Sequence, residues 1–99
     1  MSFMDFLIEG KGYELYHDTY TSAVQTAKNV AERRGYAIDD DEAMDVIGMG
    51  PSKPSPGDTV DLHLNLYDQE GKQKRERLHF QVFNRGTGQN PYELNVYIS

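Results

Sequence analysis

Three segments in the second half of the chain alternate apolar and polar residues, and this pattern restricts the possible folds more than any other feature. Because the apolar positions recur at every second residue, each segment is predicted to be a β-strand with one apolar face. The predicted strands span residues 58–68, 74–84 and 91–98. Turns containing glycine, asparagine and acidic residues separate them, which favours a three-stranded antiparallel β-meander. Such a sheet needs a cover for its apolar face.

The cover is predicted to be an amphipathic helix over residues 18–34. Its apolar side chains recur at helical spacing and include three alanines, which allow the helix to lie close to the sheet. Asp18 or Thr19 can cap the amino end of the helix. Gly35 suits the left-handed position after the carboxyl end, and Tyr36 can then fold back onto the last turn.

The remaining segments complete one predicted α+β domain over residues 1–99. A shorter helix is predicted over residues 40–47, where acidic residues at the start complement the helix dipole. Residues 48–57 are predicted to form a loop rich in glycine and proline, the one candidate hinge between the helical and strand halves. Residues 1–12 are predicted to form an N-terminal arm or short helix. Residues 13–16 could pair briefly as a strand.

The apolar side of the N-terminal arm is a candidate oligomer contact, formed by Phe3, Phe6 and Leu7. We expect these side chains either to fold back on the core or to contact another subunit. Folding back is favoured because a small domain needs all of its apolar groups. The segment lacks the basic start of a signal peptide and the length of a membrane span, so we expect an intracellular protein without membrane contact.

The charge of the chain bears on its partners. A net charge of -6 opposes binding to nucleic acid, whose phosphates are also negative. One basic run is the exception, and it comprises Lys72, Lys74, Arg75 and Arg77. A run of this kind is typical of a solvated hairpin, and a nucleic-acid contact is the alternative. The chain contains no cysteine, which excludes disulfides, thiolate metal sites and cysteine nucleophiles.

The polar face of the predicted sheet is the main candidate for a binding surface. Solvated sheet faces usually carry lysine, glutamate and threonine, whereas this face offers aromatic rings, imidazoles and amides. Such a mixture suits recognition, because rings supply contact area and amides supply directed hydrogen bonds. A plain polar exterior with strand-favouring aromatics is the alternative. The candidate binding residues are His63, Asn65, His79, Gln81, Phe83, Asn95 and Tyr97.

No constellation in the sequence indicates catalysis, a cofactor or a bound metal. His63 and His79 are expected to be neighbours on adjacent strands, but two imidazoles lack the third protein ligand of a zinc site. The acidic run of residues 39–42 lacks the spacing of a calcium loop, and helix capping explains it. The glycine-rich segments match no phosphate-binding loop, and no nucleophile elbow is present.

We therefore expect a non-enzymatic module that binds a protein partner or itself. Edge strands that pair between two copies would make a homodimer with a continuous sheet. Nucleic-acid binding through the basic run and the polar sheet face is the alternative function.

Four phrases of the sequence carry a family resemblance. They are Gly-Tyr-Glu-Leu-Tyr-His at 12–17, the alanine-rich helix, Gly-Met-Gly-Pro at 48–51 with Lys-Pro-Ser at 53–55, and Tyr-Glu-Leu-Asn-Val-Tyr-Ile at 92–98. Together they resemble a family of small proteins and modules from marine tailed phages, cyanophages especially, over most of the chain from residue 13 onward. The resemblance implies a virion, head-assembly or host-takeover protein, located in the host cytoplasm or the virion. That family has no established activity, so no catalytic residue follows from it.

Overall fold

The computed structural model describes residues 13–49 and 53–99, which form two helices and a four-stranded antiparallel sheet. Along the chain the elements are β1 (Tyr16–His17), α1 (Tyr20–Arg33), α2 (Asp40–Met49), β2 (Thr59–Tyr67), β3 (Gln73–Asn84) and β4 (Tyr92–Ile98). Across the sheet the strands lie in the order β1-β4-β3-β2. The predicted α+β class, both helices and the antiparallel arrangement of the three long strands are confirmed.

The predicted number of strands was wrong, because the short strand β1 pairs with β4 and makes a fourth. Tyr16 lies opposite Glu93, and His17 lies opposite Tyr92. Two residues are too few to show a periodicity, so the sequence alone suggested only a brief pairing in this region. The pairing places β1 on the edge that a three-stranded meander would leave open.

The covered edge of β4 extends beyond β1 through two hydrogen bonds. The Leu94 N–H donates to the Leu15 carbonyl at 2.8 Å, and the Val96 N–H donates to the Tyr13 hydroxyl oxygen at 2.9 Å. Tyr13 is 2% exposed, and burial raises the pKa of its phenol. A side-chain oxygen here takes the place of a strand carbonyl, which satisfies a backbone donor that lacks a strand partner.

Helix α1 covers one face of the sheet, and the apolar stripe predicted from its sequence forms the helical side of the core. Its buried side chains are small, which brings the helix close to the sheet. On the sheet side, alternate residues of β2 and of the second half of β3 are buried, whereas β4 contributes one buried residue, Leu94, with half-buried neighbours. The buried apolar residues of the sheet are Val60, Leu62, Leu64, Leu66, Leu78, Phe80, Val82 and Leu94.

The ends of α1 have the predicted caps. Thr19 accepts a hydrogen bond from the Ser22 N–H at 3.0 Å, so it is the N-cap, and the helix itself begins one residue later. At the other end Gly35 has a φ of 92°, which a residue with a side chain rarely adopts. The Tyr36 N–H then donates to the Ala31 carbonyl at 3.1 Å, as in a Schellman motif.

The described part of the loop between α2 and β2 is attached to the end of β3 by Asn84, a polar residue that is 7% exposed. Its Nδ2 donates to the Pro54 carbonyl at 3.0 Å, and its Oδ1 accepts from the Gly86 N–H at 2.8 Å. The Gly57 N–H also donates to the Asn84 carbonyl at 2.7 Å. The predicted hinge includes residues 50–52, which lie outside the described residues, so the hinge stays a prediction.

Candidate interaction surface on the outer face of the sheet

The seven candidate binding residues alternate with core residues along β2, β3 and β4, so they share the sheet face opposite α1. We call this surface the outer face. The register pairs His63 with His79, His79 with Tyr97, and Gln81 with Asn95. The strands therefore bring most of the predicted residues together in adjacent rows. They differ, however, in how much of each side chain is occupied by contacts within the chain.

Three rings form a continuous row across the outer face, which we call the ring row: His63, His79 and Tyr97. The His63 and His79 rings meet edge to face, with centroids 5.6 Å apart and an interplanar angle of 64°. The His79 and Tyr97 rings are stacked, with centroids 4.7 Å apart and an angle of 6°. Tyr97 is still 50% exposed, so one side of the row faces outward. These two ring contacts link β2, β3 and β4 on the outer face.

The Asn65 amide is occupied by a contact that the sequence did not reveal. Glu42 of α2 accepts from the Asn65 Nδ2 at 2.8 Å through Oε2 and from the Asn65 backbone N–H at 3.1 Å through Oε1. The Tyr67 hydroxyl donates to the same carboxylate at 3.4 Å. Glu42 therefore attaches α2 to the edge of β2, and Asn65 contributes to the fold rather than offering its amide to a partner.

The other candidate residues lie beside the ring row. The Gln81 Nε2 donates weakly to Asp61 Oδ2 at 3.4 Å, so its amide remains in part available. Phe83 is half-buried and lies opposite Glu93 of β4. Asn95 lies next to Gln81 and is itself half-buried. The usable centre of the outer face is therefore the ring row, flanked by amides on one side.

The charges on the outer face are separated along the strand direction. Arg77 lies beyond the ring row next to Asn65, and Arg75 is exposed two positions further along β3, past a register shift. On the opposite side of the ring row lie Asp61 and Glu93. The charges on the strands thus give the outer face a basic end and an acidic end with aromatic rings between them, and the Glu42 carboxylate also lies at the basic end.

Only part of the predicted basic run reaches the outer face. Lys72 lies in the turn between β2 and β3, and it and Lys74 are exposed. Strand alternation puts Arg77 beside His79 and turns Lys74 toward the other face. A separate arginine, Arg85, lies at the acidic end with its guanidinium carbon 4.4 Å from the centroid of the Tyr16 ring. That guanidinium also donates from its Nη2 to the Asn90 carbonyl at 2.8 Å.

His17 has a structural role and lies away from the other two histidines. It is 2% exposed, its Nε2 donates to the Glu14 carbonyl at 2.9 Å, and its Nδ1 accepts from the Ser22 hydroxyl at 2.8 Å. These partners occupy both ring nitrogens. Within residues 13–49 and 53–99, no group of three or more potential metal ligands is present.

A shallow depression beside the basic end is lined by Arg75, Glu76 and Ser99. The Tyr36 hydroxyl donates to Glu76 Oε2 at 3.0 Å. The pKa of Glu76 lies below its ordinary value, because its own backbone N–H and the Tyr36 hydroxyl both donate to the carboxylate. Glu76 is therefore held ionised and bonded to Tyr36, an arrangement that stabilises the turn of chain after α1 rather than one suited to proton transfer.

Comparisons with known proteins identify no relative: no family model, curated protein or solved structure matches the chain. Of the other predicted features, the oligomer contact formed by Phe3, Phe6 and Leu7 lies outside the described residues. Neither helix in the described part of the chain is long and apolar enough to cross a membrane.

Proposed function

We propose that this chain is a non-enzymatic interaction module and that its outer face binds a protein partner. The observation that carries the proposal is the ring row, in which His79 meets His63 edge to face and stacks on Tyr97 across three adjacent strands. Rings already held by one another lose little conformational freedom when a partner covers them, which favours binding. Aromatic residues are also enriched at the centres of protein interfaces.

The distribution of polar groups supports the same proposal. The ring row is flanked by the amides of Gln81 and Asn95 on one side and by Arg77 on the other. An apolar or aromatic centre with a polar rim is the usual anatomy of a protein interface. The sequence resemblance supports a phage setting, in which the partner would be a virion or assembly protein within the host cytoplasm or virion.

Site-specific photocrosslinking would test this proposal. The photoreactive residue p-benzoylphenylalanine would replace Tyr97 in the full chain, and the matched control would carry it at Gln25, which is exposed on α1. After irradiation in a lysate of phage-infected host cells, we expect discrete protein adducts from position 97 and none from position 25. Equal labelling at both positions, or no adduct at position 97, would contradict the proposal.

Nucleic-acid binding is a second candidate, favoured by the position of Arg77 beside the ring row. Exposed rings on a sheet can stack on bases while neighbouring arginines contact phosphates. The net charge of -6 acts against it, so binding would have to be local and strongly dependent on salt. A titration of single- and double-stranded DNA and RNA at low salt tests this candidate. If the fluorescence anisotropy of none of the four nucleic acids changes on adding the protein, nucleic-acid binding is excluded as the function.

A further inference from the structure

The structure points to a second copy of this chain as a partner of the outer face. We propose that two copies pack outer face to outer face around a two-fold axis that runs along the ring row, perpendicular to the strands. This inference rests on the proposed function, since it names one occupant of the same surface. It is carried by the charge separation on the outer face together with the position of the rings between the two ends.

The charge separation selects this axis. Arg75 and Arg77 lie on one side of the ring row, and Asp61 and Glu93 lie on the other. A two-fold axis along the ring row lays the basic end of each copy on the acidic end of the other. An axis parallel to the strands would instead lay like charges on each other, which is unfavourable. These four strand charges are therefore complementary across the axis, as a symmetric dimer requires. Glu42, which is bonded to Asn65 at the basic end, and Arg85 at the acidic end offset part of the separation.

The same axis places each ring on its own symmetry mate. All three rings would lie along the axis, so Tyr97 of one copy would face Tyr97 of the other. The strands of the two sheets would run in nearly aligned directions, about 10 Å apart, as in a sandwich of two sheets. Opposite charges then lie at both rims of the interface, where they fix the register of the two copies.

The edges of the sheet offer less room for a second copy than the outer face does. On β4 the edge is occupied by β1, by the Leu15 carbonyl and by the Tyr13 hydroxyl. On β2 the edge is occupied at its far end, where Ala37 pairs with Tyr67 and Glu42 accepts from the Asn65 N–H. Within residues 13–49 and 53–99, a continuous sheet through two copies would have to use the first half of β2 or the two-residue strand β1.

A charge-swap experiment tests the inference. The first variant carries Arg75→Glu and Arg77→Glu, so both ends of its outer face are acidic. The second carries Asp61→Lys and Glu93→Lys, so both ends are basic. In sedimentation velocity we expect a wild-type dimer that weakens as salt is raised, and each variant alone should dimerise at least about tenfold more weakly. An equimolar mixture of the two variants should recover a mixed dimer. Circular dichroism checks that both variants keep the wild-type fold.

Three results would overturn the inference: a wild-type monomer at high concentration and low salt, charge-swapped variants that dimerise as well as wild type, or variants that fail to form the mixed dimer. These results separate the inference from the proposed function. If the wild type is monomeric while position 97 still crosslinks to a different protein, the outer face is an interaction surface with another occupant. If wild-type binding instead requires added DNA or RNA, the second candidate function replaces both.

Discussion

The two faces of the sheet are built from the same strands but from different kinds of side chain. The inner face, beneath α1, is mostly aliphatic, with Phe80, Tyr92 and Asn84 as its exceptions, and its best-buried members are fully enclosed. The outer face has histidines, amides and tyrosine, and Tyr97 remains half exposed. Burial of the inner face supplies most of the stability of a domain of this size. The difference indicates that the ring row of the outer face contributes less to folding than the inner face does.

Replacing two phenylalanines of β3, one on each face of the sheet, should show the largest difference in stability between the faces. Phe80 is fully buried on the inner face, and Phe83 is half-buried on the outer face. We expect Phe80→Ala to lower the free energy of unfolding by about 3–5 kcal/mol, because it removes a large side chain and leaves a cavity. Phe83→Ala is the matched control and should cost much less. Urea unfolding measures both, and equal losses would contradict the division between the faces.

Among the polar residues on the inner side of the sheet, Asn84 is the one whose replacement should lower the free energy of unfolding most. Asn84→Ala leaves the Pro54 carbonyl and the Gly86 N–H without their partner. The expected loss is about 1–3 kcal/mol, the usual cost of leaving a buried polar group unpaired. The control is Asn90→Ala, in the exposed turn before β4. Thermal unfolding of both variants measures the difference, and an unchanged midpoint for Asn84→Ala would show that the loop is not held by this residue.

Helix α1 covers the inner face, and its first turn is stabilised by the Thr19 N-cap. Thr19→Ala removes the acceptor of the Ser22 N–H, and we expect it to lower the free energy of unfolding by about 1 kcal/mol. Thr21→Ala, on the exposed surface of the same helix, introduces the same residue without touching the cap. Chemical denaturation should therefore rank the Thr21 variant as the more stable of the two, and the reverse order would argue against the assigned cap.

Alkaline pH should weaken the covered edge of β4. Burial raises the pKa of Tyr13 in the folded chain, so its neutral form is favoured by folding. The resulting stability is present below the ordinary tyrosine pKa of about 10 and is lost as the pH rises through the higher folded value. Denaturation midpoints from pH 8 to pH 11 should fall more for the wild type than for Tyr13→Phe. If the midpoints of the two proteins fall equally with pH, the Tyr13 phenol makes no contribution to the pH dependence of stability.

The smallest effect on stability is expected at the ring row. Tyr97→Ala removes an exposed ring, so the free energy of unfolding should change by less than about 1 kcal/mol. Binding through the outer face should nevertheless be lost, because the ring lies at the centre of the proposed interface. Parallel measurements of unfolding and of partner binding would separate these effects. A large loss of stability with intact binding would assign the ring row to the fold instead.

Residue periodicity predicted the main elements, because each long strand and helix has one face that must be buried. It also predicted which side chains share the outer face, since alternation alone decides that. The sequence could not show the β1 pairing, which involves two residues, or the Glu42 contacts with Asn65, which join positions 23 residues apart. Such contacts depend on where the elements pack, and no local pattern encodes that. For the same reason, Asn65 was grouped with the binding residues although its amide is occupied.

The Tyr13 hydroxyl at the β4 edge affects how copies of this chain can associate by strand addition. An open strand edge is a template on which another chain can add, and repeated addition gives filaments without a natural end. Here a single phenol and a two-residue strand cover the edge of β4, which leaves the short β1 as the edge strand on that side, while α2 covers part of the β2 edge. Between copies of the described part of the chain, strand addition would therefore find little open backbone to pair with, which disfavours filaments relative to closed assemblies.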